Sequence, residues 1–410
     1  MASYLEIYFN SVQTSASTKD SIQITNVLSS HGKILNLAME DQRQHRQRYN
    51  AVALAAEKVR DSTWREIAVS CWNVAYSIHI SLDIIDAYRE QCKVAQLINR
   101  IAEKSDRWIL SLMFTVIQDL RSIAMQADKY IKTRADSVET ANKLEEAARI
   151  VNRALTICLN DRNSVLEDSR KWGVYFIISV LFKIYFTLGT ISLATSLLRV
   201  LNASSNSGDM PPLENYPKSH VVTFQYYVGV LAFMEEDYQK AEENLTAALE
   251  KCHMQSKYNQ EMILLYLLPT HLLLHRKLPN QSIWKIYPKL REYYQQLFVA
   301  AKRGDLKSFE ITLASLEKVL IKKRLYLTML KVRTKIVRPR LFELVYKALD
   351  SNSRVPVSAF RKGLEFVGIE VDEDQIECWA AVMIYQGQMK GYISRERKII
   401  VLSNSDAFPR

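Results

Sequence analysis

The chain has 410 residues, 48% of them apolar and 24% charged, which is room for two or three packed domains or one repeat array and excludes intrinsic disorder. Only 10 glycines and 9 prolines punctuate it, too few for an all-β barrel or a doubly wound α/β fold, so long helices are expected. The net charge of +11 is not spread out: residues 300–362 hold sixteen Lys or Arg against five acids, and the rest of the chain is neutral.

From about Tyr49 to Leu201 the pattern is helical. Within Glu139–Asn160, Leu144, Ala147, Ala148, Val151, Leu155, Cys158 and Leu159 recur at helical spacing, with Glu145, Glu146, Arg149 and Arg153 between them. Lys171–Leu188 is apolar nearly all round, the signature of a helix buried between neighbours. Asn202–Ser219 collects Ser, Pro and Asn and reads as a loop or linker. Phe224–Cys252 then fits one tetratricopeptide-like helix-turn-helix unit, with Gly229, Ala241, Leu245 and Ala248 at the close-packing positions and Asp237-Tyr238 at the turn. One such unit cannot bury its own face, so Met262–Leu274, Tyr287–Lys302 and Leu306–Lys322 are its expected stacking partners. Trp172, Trp284, Tyr293 and Tyr294 serve either this core or an interface.

The last 75 or so residues change character. Pro339–Leu349 and Pro356–Val367 predict short helices, the second ending at Gly368. Asp372, with Gln375 three residues on, predicts the cap of a third helix through Tyr385. The period then switches to two over Lys390–Ser394 and Lys398–Leu402, which predicts a hairpin around Arg395, Glu396 and Arg397. Three helices closed by a hairpin make a winged helix. The expected fold is mainly all-α: helical repeats over 1–201, a linker at 202–219, further repeats over 220–325, a winged helix over 326–403 and a tail at 404–410.

The chemistry-bearing motifs of common enzymes are missing. No phosphate-binding glycine loop, nucleophile elbow or HExxH occurs, and His79 has no second histidine two residues away. His271 and His275 are four apart, but Leu272 follows the first and no third ligand lies nearby in the chain, so they read as ordinary histidines. Cys252-His253 is an adjacent pair, not a ligand set. The five cysteines, Cys71, Cys92, Cys158, Cys252 and Cys378, are odd in number and lack a CxxC pair, which points to buried thiols in a reducing compartment. The first residues show no signal-peptide pattern, and no uninterrupted apolar run reaches about 18 residues. The expectation is a soluble intracellular protein without catalytic residues, metal, cofactor or membrane contact.

Several stretches resemble one PCI-domain family: Ser169–Phe176 running into Leu181–Phe186, Tyr226–Gly229, Met262–Pro269 and Lys390–Ser394. That family comprises PCI-domain-containing protein two, the yeast protein Thp-one and the signalosome-subunit-twelve homologues. The resemblance spans about Asp168–Pro409 and is weaker over the first 130 residues. It implies a non-catalytic subunit of a nuclear, transcription-coupled complex acting in messenger RNA export or processing. Its implied partners are a PCI scaffold of the Sac/GANP type, as in the transcription-export complex at nuclear pores, or a related PCI scaffold tied to elongation and splicing. A small acidic Dss/Sem-type protein is implied too, together with RNA or DNA on a basic surface formed by paired winged helices.

A basic segment on a neutral body is an electrostatic footprint for a polyanion. The expected phosphate contacts are Lys331, Arg333, Lys335, Arg338, Arg340, Arg361 and Lys362, with Lys390, Arg395, Arg397 and Lys398 at the hairpin. Asp372, Glu373, Asp374 and Glu377 suit a helix N-terminus but repel phosphate at the end that normally enters a groove, so sequence-tolerant backbone contact is expected instead of base reading. Tyr346 and Phe360 read as core, not as stacking platforms. The alternative is an architectural subunit of a signalosome-like or proteasome-lid-like complex, its basic stretch docking an acidic protein.

Overall fold

A computed structural model describes residues 4–30, 32–45, 50–133, 141–163, 165–206, 208 and 210–409. The start of the predicted helix Glu139–Asn160, Ser207 and Asp209 of the predicted linker, and Arg410 of the tail lie outside these residues. The chain divides into two compact units, Met1–Tyr227 and Val228–Arg410. That division falls inside the helix Lys218–Met234 and not at 202–219. The linker itself is shorter than its composition implied: the helix Ile191–Asn206 runs into it, since Ser and Asn at a helix end are tolerated, and Pro211, Pro212 and Pro217 enforce the break.

The first unit is a succession of helices whose starts are fixed by side-chain caps. Asp20 accepts from the backbone of Ile22 and Gln23, Asp61 from Thr63 and Trp64, and Asp83 from Ile85 and Asp86. The buried Asp128 carboxylate accepts from the amides of Lys143 and Leu144 at 2.8 and 3.0 Å and so caps the helix Lys143–Leu159 from outside it. Leu144, Ala147, Ala148, Val151, Leu155 and Cys158 of that helix are buried as its periodicity demands. Arg107–Thr133 and Arg170–Leu188 are long and apolar enough to cross a membrane by length and composition alone. In the folded unit 50% and 61% of their most apolar windows are buried, which is how core helices behave.

The second unit opens with a helical hairpin. Gly229 is required there, because a Cβ in its place would sit 2.6 Å from the Leu245 side chain. Asp237 caps the helix Tyr238–Lys251 by accepting from the Lys240 amide. The helices Lys257–His275, Pro288–Arg303 and Leu306–Lys322 follow. Pro269 lies inside the first of these and has no N–H for the carbonyl of Leu265 one turn back. The buried Tyr294 hydroxyl, from the helix Pro288–Arg303, donates to that carbonyl at 2.5 Å. Tyr294 and Trp284 are thereby core residues of this unit, and Trp172 in the first unit donates its ring N–H to the Leu166 carbonyl at 2.8 Å.

The C-terminal winged helix comprises the helices Val357–Phe366 and Glu373–Tyr385 and a small sheet of β1 (Arg354–Pro356), β2 (Gly391–Ser394) and β3 (Ile399–Leu402) in the order β1-β3-β2. Both pairings are antiparallel, with Val355 opposite Ile400 and Ile393 opposite Ile400 on the other side. The predicted hairpin is β2 and β3; β1 is an addition. Phe342 and Phe360 stack with ring centroids 4.5 Å apart, over a core that includes Val355, Leu364, Ile376, Met383 and Ile400.

Candidate nucleic-acid interface

The basic segment is built on a helix interrupted by its own sequence. Tyr326–Val332 continues through a wide π-type turn, Arg333–Val337, into Arg338–Ala348. Pro339 lacks a donor and its ring crowds the carbonyl four residues back, so the ladder slips and the Arg338 amide bonds to Arg333 five residues earlier. Ile336 and Val337 face inward while Lys335 is left exposed.

Most of the expected phosphate contacts already have anionic partners. Lys331 pairs with Glu236 and lies over the Tyr238 ring, and Arg333 meets Glu310 at 2.9 Å. Arg340 meets Glu343 at 2.7 Å, and Lys390 meets Asp406 at 2.7 Å. Around the third helix, Arg361 lies 3.3 Å from Glu365 and 3.6 Å from Glu373, Lys398 lies 2.8 Å from Glu373, and Arg395 lies 4.0 Å from Glu377. The acidic start of that helix therefore does more than repel phosphate: it takes up the charge of the wing. Arg338 stacks on Trp379, its guanidinium carbon 3.9 Å from the ring centroid, and burial followed by repulsion from Arg333 lowers its pKa. Glu343 is held below the usual carboxylate range: burial opposes this, but hydrogen bonds from Lys347 and Arg340 outweigh it.

Lys335, Lys362 and Arg397 remain, exposed and with no carboxylate within ion-pair distance among the described residues. Lys335 has company that the sequence did not reveal. It opens on a cleft of about 460 Å³ together with Leu273, Arg276, Gln386 and Gln388. Among the described residues no carboxylate lines this cleft. One Arg276 N–H donates to the Pro409 carbonyl at 3.3 Å and the Gln388 amide to Gln386 Oε1 at 2.7 Å, so the Lys335 ammonium, the other Arg276 N–H groups and the Gln386 amide are the donors for an anionic oxygen. Arg276 lies 59 positions before Lys335 by residue number, outside the basic stretch, so charge counting had no means of finding it. Four more exposed or half-exposed cations, Lys318, Lys322, Lys323 and Arg324, cluster where the helix Leu306–Lys322 ends. Their proximity to a helix C-terminus is electrostatically favourable.

Comparison with known proteins identifies this C-terminal unit. A PCI domain matches residues 313–404, from the middle of the helix Leu306–Lys322 to the end of the sheet. The chain is similar to the protein CSN12 homolog of Yarrowia lipolytica, 37% identical over 361 residues that cover 88% of this chain and 89% of the other. The CSN12 homolog of Schizosaccharomyces pombe is 32% identical over 418 residues, covering 99% and 97%. PCI domain-containing protein 2 of Xenopus laevis is 34% identical over 331 residues and 80% of each chain. With likeness of this level along nearly its whole length, the chain belongs to the PCI-domain family of CSN12 homologues and PCI domain-containing protein 2.

Proposed function

We propose that this protein is a non-catalytic subunit of a nuclear, transcription-coupled complex that pairs with a second PCI scaffold and holds RNA or DNA with little regard to sequence. Messenger RNA export or processing is the process it serves. The scaffold is of the Sac/GANP type or a related PCI protein, and a small acidic Dss/Sem-type protein completes the assembly. The observation that carries the nucleic-acid part is the cleft shared by Lys335 and Arg276, which no carboxylate lines among the described residues, in company with a segment holding all of the chain's excess positive charge. The scaffold part is supported by apolar side chains left in solvent on the winged helix, Phe366 and Tyr385 at 91% and 92% exposure, with Tyr392 beside the wing.

The contacts are exposed cations with no carboxylate partner among the described residues: Lys335, Arg276, Lys362 and Arg397. Binding by phosphate neutralisation makes log K fall linearly with log salt, by about 0.9 per phosphate on duplex DNA. A filter-binding salt titration on the full chain tests this. The double substitution Lys335→Ala with Arg276→Ala is expected to flatten the slope by about 2, with the same change on unrelated sequences. A slope unchanged by the double substitution would remove these residues from the interface.

The architectural reading rests on a specific finding, the neutralisation of seven of the eleven expected contacts by acids. It predicts no saturable binding to either nucleic acid at about 0.15 M salt, alone or with the partner scaffold bound.

A further inference from the structure

The helices Tyr238–Lys251 and Lys257–His275 form a hairpin whose open end brings three ligand-type side chains together. His271 and His275 are one turn apart on the same helix face, their ring centroids 5.4 Å from each other. Both direct Nε2 at a single oxygen, Glu242 Oε1, at 3.1 and 2.7 Å. All three ligand atoms lie within 4.8 Å of one another. We propose that Glu242, His271 and His275 form a binding site for one divalent transition-metal ion, zinc foremost, that closes the open end of this hairpin.

The spacing favours the assignment. Bonds of about 2.0–2.1 Å to a tetrahedral ion put neighbouring ligand atoms about 3.3 Å apart; Glu242 Oε1 keeps 3.1 Å from His271, near that figure, and 2.7 Å from His275, which has to open by about half an ångström to admit the ion. Two imidazoles and one carboxylate suit zinc, cobalt, nickel or copper, and not magnesium or calcium, which require more oxygen ligands. Side-chain exposures of 45%, 46% and 22% for His271, His275 and Glu242 give an ion a way in. His275 is also the last residue of its helix, where unpaired carbonyls favour positive charge. With only protons available, two rings compete for one carboxylate oxygen. A divalent ion takes the lone pair of each Nε2 and a carboxylate oxygen at once, and three protein ligands leave one position for water. The histidine pair looked incomplete in the sequence because its third member lies 33 residues before His275, across the hairpin.

The test uses the full chain stripped of metal. Zinc titration by calorimetry is expected to show one saturable site, and added zinc to raise the melting temperature. Cobalt in place of zinc is expected to give the visible absorption of a tetrahedral centre. Each of His271→Ala, His275→Gln and Glu242→Gln is expected to weaken zinc binding at least about 100-fold, since even an outer-sphere partner contributes about 10–100-fold. His253→Gln and Cys378→Ser, exposed potential ligands outside the cluster, leave binding intact. Three partly exposed positions guard against a folding artefact, because a lost site with an unchanged far-ultraviolet spectrum in any one of them suffices. The proposal is overturned by the lack of a one-to-one site, by binding that survives in all three variants, or by binding that disappears with His253 or Cys378 instead.

Discussion

Glu373 accepts a 2.8 Å hydrogen bond from Nζ of Lys398 while its other oxygen lies 3.6 Å from Arg361. One carboxylate thus joins the acidic third helix to the wing and to the helix Val357–Phe366. The Lys398 hydrogen bond foremost, with Arg361 adding attraction, holds Glu373 below its ordinary pKa, and the same bond raises Lys398. Surface pairs of this kind contribute little to stability, so their main effect is on what the two cations are free to meet.

Glu373→Gln therefore releases Lys398, while Arg361 keeps Glu365 at 3.3 Å. On the nucleic-acid reading the variant binds RNA or DNA more tightly than the parent, with the salt slope steeper by about 1. Filter binding at several salt concentrations measures both. A variant that binds less tightly than the parent contradicts the assignment of carboxylates as competitors of phosphate.

In the first unit, Asp161 is 5% exposed at its side chain and accepts from Ser169 Oγ at 2.8 Å, the Arg170 amide at 2.7 Å and the Arg170 guanidinium at 2.6 Å. Burial opposes its ionisation, but these bonds prevail and lower its pKa. Its stabilisation is complete above the unfolded value of about 3.9 and is lost as pH falls through the lower folded value. Asp161→Asn is expected to cost about 3 kcal/mol at pH 7, near the lower end for breaking a buried pair, because Arg170 keeps the Ala102 carbonyl as an acceptor. Urea unfolding at pH 7 and near pH 2 checks the sign: the gap between parent and variant closes at the lower pH.

The Tyr294 hydroxyl occupies the acceptor that Pro269 leaves vacant. Tyr294→Phe strands the Leu265 carbonyl in the core and is expected to cost about 1–3 kcal/mol. Adding Pro269→Ala supplies the missing helical N–H and recovers part of that loss. A double-mutant cycle in urea reads the coupling, and additive costs would show that the two positions act separately.

Gly229→Ala places a methyl group 2.6 Å from the Leu245 side chain and 3.2 Å from its backbone nitrogen. The helix gains propensity, yet the contact forces the hairpin apart, and a net loss of about 1–3 kcal/mol is expected. Chemical denaturation measures it, and a stabilised variant would show that the hairpin separates without strain.

Local signals carried the fold a long way. The spacing of Leu144, Val151 and Leu155, the Asp372 cap with its 2.7 Å bond from the Gln375 amide, and the alternation around Gly391 and Ile400 each depend on residues near in the chain. β1 escaped because three residues including Pro356 carry no period, and its partner β3 lies more than forty residues on. The site was less legible. Charge counting located the basic segment, but Glu236, Glu310, Glu373 and Asp406 reach their cations across tertiary contacts that no window displays. Arg276 beside Lys335, and Glu242 beside the two histidines, were hidden for the same reason.

The placement of the Arg338 guanidinium over the Trp379 ring has an optical consequence. Indole emission responds to the charge and hydration around the ring, and here a guanidinium covers one side of it at the junction of the π-type turn and the acidic helix. A ligand that moves Arg338 or the acidic helix is expected to change that emission. Trp379 is thus a built-in fluorophore for events on this surface, and Trp379→Phe identifies its share of the signal.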